Sequence, residues 1–198
     1  MTSESVEASL RAVAAPFTAD LVAGPVALRW GPLFAALAGD DAEFVEAVEL
    51  IHEGYLVHYR RGRLLAIAAE DRQTALLAGD VFYARGLRLI AARGDVHSVA
   101  LLTRLMSACS CLRSLSAPFV DDDALWAYTM AALAAVQAGD APADAAAFFD
   151  EVDADLAGGA PAQVPARAAA AAAALSLPDP APLAAAFASL DLPVRPVR

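Results

Sequence analysis

Alanine fills this chain in helix-length runs. Roughly a quarter of the residues are Ala, with dense stretches at 124–138 and 168–177. Ala is the strongest helix former and orders without losing side-chain entropy, so a chain built on it has few options besides helix. Hydrophobic residues make up 59% of the sequence and charged residues 19%. A length of 198 residues is ample for one domain with a sizeable core. The fold class expected is all-α, a single-domain antiparallel helical bundle.

Gly-Asp pairs and prolines mark the helix boundaries. After Gly39, Asp40 reads as an N-cap with Glu43 three residues on, and Phe44, Val48, Ile51 and Tyr55 follow at helical spacing. This predicts a helix over about 40–58. A loop at 60–63 leads to a second helix, from Leu65 or Asp71 to Ala92; Gly94-Asp95 closes it and opens a third, about 95–115, ending before Pro118. Further helices are expected over about 122–138, from Pro142 to Ala157, and over 163–176 and 181–190. Residues 4–15 and about 18–38 read as helices interrupted by Pro16, Pro25 and Pro32, and DLPVRPVR as a frayed tail. The helices at 40–58, 71–92 and 95–115 are expected to form the core. A shift to Ala and Pro after residue 158 separates a 1–158 core from a 159–198 appendage that packs weakly or against a partner, because Ala buries little area.

There is no Lys, so all 14 basic residues are Arg. That removes lysine Schiff bases, Walker-type phosphate loops and class A β-lactamase chemistry. A net charge of -10 argues against general nucleic-acid binding, which needs a basic surface. The charge is uneven: residues 58–113 sum to +5, between flanks of -7 and -8. A basic middle of this kind binds an anion or neutralises its own flanks. The opening MTSESVEASL is acidic and polar where a signal peptide is basic and then apolar. The Ala-rich stretches fall short of a membrane span. With only Cys109 and Cys111, two apart and on different helix faces, the chain suits a reducing cytoplasm.

His52-Glu53 lacks a second His four residues after the first, so no zinc-protease motif forms, and three His in all give little for a metal site; none is expected. No Gly-rich phosphate loop, GxSxG elbow or CxxC pair is present. Two acidic clusters, Asp121–Asp123 and Asp150-Glu151-Asp153-Asp155, are candidates for holding Mg²⁺ through a substrate phosphate. Their simpler reading is helix-terminus charge and a solvated face. In the second, Asp150 and Asp153 share one face of a helix, and Glu151 and Asp155 another.

The order Glu49-Leu50-Ile51-His52, Leu56-Val57-His58, Arg60-Arg61-Gly62, then Leu77-Ala78-Gly79-Asp80 with Ala84-Arg85 resembles the trans-isoprenyl diphosphate synthase (polyprenyl synthetase) family over about residues 24–113. The resemblance implies a shortened prenyl-synthase-like fold. The family's magnesium-binding aspartates fall on Tyr59, Arg60 and Arg63, or are deleted. Its isopentenyl diphosphate site is reduced to Arg29, with Trp30 where Pro is usual, and the second aspartate-rich motif has no counterpart. The run Arg72-Gln73 to Leu77-Ala78-Gly79-Asp80 is especially similar to the non-catalytic small subunit of heterodimeric heptaprenyl diphosphate synthases.

The resemblance therefore implies a non-catalytic subunit that pairs with a catalytic synthase and influences product chain length in isoprenoid biosynthesis. No catalytic residue and no cofactor is expected on the chain itself, Mg²⁺ being supplied through the partner. Self-association is the other partner reading. The alternatives are a stand-alone binding module for an isoprenoid or other apolar ligand with an anionic head, and a diverged Mg²⁺-dependent prenyltransferase using the Asp121 or Asp150 cluster. Arg60, Arg61 and Arg63 are the candidate anion- or partner-binding residues, or a solvated loop. His52, His58, Arg72 and Asp80 are the polar framework. Asp80, if buried, needs a partner, expected to be His52 or an Arg of a neighbouring helix.

Overall fold

The structure, a computed structural model of the chain, describes residues 3–17, 20–139 and 143–190. It is 75% helical, and among the described residues no sheet forms. The helices are α1 (Ser3–Ala14), α2 (Trp30–Ala38), α3 (Ala42–Tyr59), α4 (Arg72–Ala92), α5 (Val96–Ser114), α6 (Phe119–Gln137), α7 (Ala143–Ala157), α8 (Val164–Ala174) and α9 (Ala181–Ser189). Pro142 and the tail from residue 191 lie outside the described residues. Most boundaries fall where the punctuation puts them. Gly94 and Gly139 follow the ends of α4 and α6 with φ of 74° and 91°, a left-handed turn that an L side chain resists and that ends a helix.

Three expectations are corrected. The N-cap of α3 is Asp41, not Asp40: its side chain accepts from the Phe44 N–H at 3.1 Å. Of the helix expected over about 18–38, the part from Trp30 forms, and the described residues 21–29 do not join it. Residues 20–22 instead run beside 64–66, with Val22 N–H donating to Leu64 O and Ala66 N–H to Asp20 O, both at 2.8 Å. Pro32 is tolerated because the first turn of α2 needs no N–H there. Finally, α6 starts at Phe119, which puts Asp121 and Asp122 inside its first turn, where both are fully buried. They are not a solvated face; Arg113 pairs with Asp122 at 2.6 Å.

The chain divides into two compact units, residues 1–35 with 40–96 and residues 36–39 with 97–198. Each contains a helix buried along nearly its whole length, α3 in the first and α6 in the second, so the acids these helices carry are buried with them and need partners. In the first unit α3 packs on α4. A Cβ added at Gly54 would stand 2.8 Å from Gly79 O, and one at Gly86 would stand 2.7 Å from Ala47 O. The helices therefore run antiparallel with their backbones in close approach, which glycine alone permits. In the second unit Tyr128 on α6 meets Phe148 on α7 at a ring separation of 3.7 Å. The α7 acids divide by face as the sequence suggests, and both faces are paired. Asp150 and Asp153 each lie 2.7 Å from Arg104, while Asp155, at 2.7 Å, and Glu151 hold Arg167. Cys109 is buried, and that burial, followed by the nearby Asp122, pushes its thiol well above the ordinary range.

Among the described residues no helix is long and apolar enough to cross a membrane.

Candidate functional site

Glu49 and Glu53 stand one turn apart on α3 and are wholly buried. Buried carboxylates need full hydrogen bonding and a cation, and both find these in the chain that flanks α3. Glu49 Oε1 accepts the backbone N–H of Arg29 and of Gly31, each at 2.8 Å. Glu53 Oε1 accepts those of Arg63 and Leu64 at 2.8 and 3.0 Å. The Arg63 guanidinium bridges the two acids, 2.5 Å from Glu49 and 2.8 Å from Glu53. It also donates to Ala27 O at 2.9 Å and Glu49 O at 3.1 Å. Burial works to lower the Arg63 pKa, and the charges of Glu49 and Glu53 more than offset it, so it ends above its ordinary value. Arg63 is thus not the exposed loop residue expected from sequence: its side chain is 14% exposed and locks residues 27–31, α3 and the 63–64 segment together.

Arg60 and Arg61 precede that lock in the chain. Together with Arg72 they line a cleft of about 490 Å³ at the C-terminal end of α3. The rest of its lining is Val57, Leu65, Ile67, small Ala side chains, Gly62, His58 and Tyr59, with no carboxylate among these residues. The volume is that of a small-molecule pocket. Arg60 stacks over the Tyr55 ring at 5.5 Å. Positive charge after α3 suits the carbonyl end of a helix dipole. Arg72 has no such explanation, because it opens α4 at the end where the dipole is positive. Asp71, its neighbour, is turned to the Thr74 N–H at 3.2 Å.

His58 packs on Gly79, where an added Cβ would fall 1.9 Å from its ring. Its Nε2 lies 3.1 Å from Leu76 O and 3.4 Å from Asp80. Asp80 is therefore neither buried nor paired with His52: its side chain is 72% exposed and its partner is His58. The reason is rotational, since Gly79 faces α3 and the next residue turns about 100° away, toward solvent.

His52 is buried between Trp30 and Tyr55, with ring separations of 6.1 and 6.2 Å. Burial first, then the charges of Arg63, Arg29 and Arg60, hold its pKa well below 6.5, so it stays neutral in the fold. Below pH 6.5 the unfolded chain takes up a proton at this residue that the folded chain refuses. Stability should therefore fall on acidification through this window, by up to ~1.4 kcal/mol per pH unit from this one residue. Denaturant unfolding at neutral pH and about one unit below pH 6.5 is the check. The His52→Gln variant should lose about 1 kcal/mol less than the parent over that interval; equal losses would remove His52 from the account.

The cleft does not fit the Mg²⁺ that the family resemblance would bring. A hard divalent cation needs several oxygen ligands, and guanidinium groups occupy this place instead. Among the described residues no three His, Cys, Asp or Glu side chains gather as a ligand set. The sequence missed the Glu49–Glu53–Arg63 lock and the cleft's Leu65–Ala69 wall. The signal for the first was present: Glu49 and Glu53, four apart, lie in a stretch from Ala47 to Val57 whose other residues, His52 apart, are apolar.

No protein-family model matches this chain, and neither a curated protein nor a solved structure does.

Proposed function

We propose that the protein binds an apolar ligand with an anionic, phosphate-type head, without catalysing its turnover, in the cleft at the end of α3. The placement of Arg72 carries this reading. A cation at the positive end of a helix that lines one cleft with Arg61, with no carboxylate among the lining residues, favours an anion there. The guanidinium fork matches phosphate oxygens geometrically, and the apolar wall from Leu65 to Ala69 suits the attached chain. The family resemblance makes an isoprenyl diphosphate the natural ligand.

A second reading, a non-catalytic subunit that pairs with a catalytic isoprenyl diphosphate synthase and influences product chain length, is favoured by one contact. The segments that carry the resemblance meet where Gly79 packs on His58. Mg²⁺ would then enter with the catalytic partner.

Titration calorimetry with geranyl diphosphate in chelator tests the first reading. Binding should occur without Mg²⁺, weaken as salt rises, and drop at least tenfold when Arg61 and Arg72 are both replaced by Gln. Inorganic diphosphate should bind more weakly than the prenylated form. Salt-insensitive binding unchanged in the double variant would return these arginines to the solvated surface. In a parallel arm, an altered product length when the chain is added to a catalytic synthase would support the subunit reading.

A further inference from the structure

In the second unit a groove of about 460 Å³ runs between α7 and α8. On the α7 side Asp144, Ala147, Phe148 and Glu151 recur at spacings of three and four, so one stripe of that helix lines it. Ala166, Ala170 and Ala171 line the α8 side, and their methyl groups leave open a space that larger side chains would fill. The volume is that of a small-molecule site.

The charges of this lining do not cancel. Arg167, its basic residue, is taken up by Glu151 and Asp155. Asp144 has no ion-pair partner among the described residues. Its position in the first turn of α7 suits the helix dipole and would by itself mean little. Tyr128 of α6 adds a second observation. It is 1% exposed, its ring stacks on Phe148 at 3.7 Å, and among the described residues nothing hydrogen-bonds its hydroxyl. Buried hydroxyls are seldom left so. Burial first, then the charge of Asp144, raises the Tyr128 pKa above its ordinary value, so the phenol and the carboxylate share one field without being joined.

A carboxylate and a phenol oxygen beside an aromatic ring call for a cation with several N–H donors. Water would satisfy the hydroxyl but leave Asp144 without a counter-charge, and a hard divalent ion needs more oxygen ligands than these. A primary ammonium has three donors and a full charge, and the face of Phe148 attracts it further. Residues 114–198 sum to -8, a field that draws cations and repels anions.

We propose that the groove between α7 and α8 binds a small primary amine on an apolar body, its ammonium held by Asp144 and the Tyr128 hydroxyl and its body lying against Phe148 and the alanines. The site is independent of the cleft after α3, which is built from other residues and takes the opposite charge.

Titration calorimetry of the full chain with 2-phenylethylammonium at neutral pH and low salt is the test. Saturable one-to-one binding is expected. It should be at least tenfold tighter than that of 2-phenylethanol, which keeps the body without the charge, or of a short lysine peptide, which carries the ammonium on a polar backbone. Asp144→Asn should weaken binding at least tenfold. Ala170→Leu should abolish it by filling the groove while Asp144 stays in place. Both residues are exposed, and circular dichroism should show the helices unchanged. Tyr128→Phe, which removes only the hydroxyl, should weaken binding by about threefold or more, the value of one hydrogen bond. The absence of saturable binding, an alcohol as tight as the amine, a lysine peptide tighter than it, or an affinity indifferent to any of the three variants would each overturn the proposal.

Discussion

Replacing Arg63 by Ala should destabilise the first unit by about 3–5 kcal/mol, the range for removing one partner of a buried ion pair. The variant leaves the wholly buried Glu49 and Glu53 without their shared cation. The backbone N–H groups of Arg29, Gly31 and Leu64 still reach the carboxylates, but dipoles do not neutralise two charges. Arg61, two residues earlier and exposed, should cost less than about 1 kcal/mol when truncated the same way. Chemical unfolding of both variants with the parent decides the matter, and an Arg63→Ala loss below about 1 kcal/mol would show that the lock contributes little. A triple replacement of Glu49, Glu53 and Arg63 by apolar residues of similar volume should be milder than Arg63→Ala alone. The damage comes from the orphaned charge rather than from the lost bridge.

Gly86→Ala should also destabilise, by about 1–3 kcal/mol, the usual cost of overpacking a core. On an exposed helix the same change would stabilise by up to about 1 kcal/mol, since Ala is the better helix former. Here the added Cβ would lie 2.6 Å from Ile51 Cγ1 and 2.7 Å from Ala47 O. A side-chain methylene can rotate aside, but a backbone carbonyl within a buried helix moves only if α3 and α4 separate. The melting temperature should therefore fall, and any rise would mean that the helices can part without loss.

The sequence shows its helices through punctuation, and the reasons are local. Asp71, Gly94 and Gly139 act within one turn of their own position, so α4 and the end of α6 lie close to where their neighbours predict. What was hidden depends on residues far apart. Residues 20–22 read as helix until they are seen beside 64–66, where tertiary pairing overrides propensity. Asp121 and Asp122 look like ordinary helix-start acids until Arg113 arrives from another helix. The same holds for the site. Arg60 and Arg61 are visible as a basic loop, but their separation in role from Arg63 depends on which way the chain turns after α3. Arg72, eleven residues beyond Arg61, comes to line the same cleft only when α4 folds back antiparallel.

The division of labour within the 60–63 loop has an evolutionary consequence. Stability rests on Arg63, which answers to Glu49 and Glu53, while Arg61, two residues earlier, is exposed. The requirement for a folded chain is thus written in one letter of a short word and leaves another open to change. A lineage carrying this lock can drift at position 61 without first having to find a new way to stay folded.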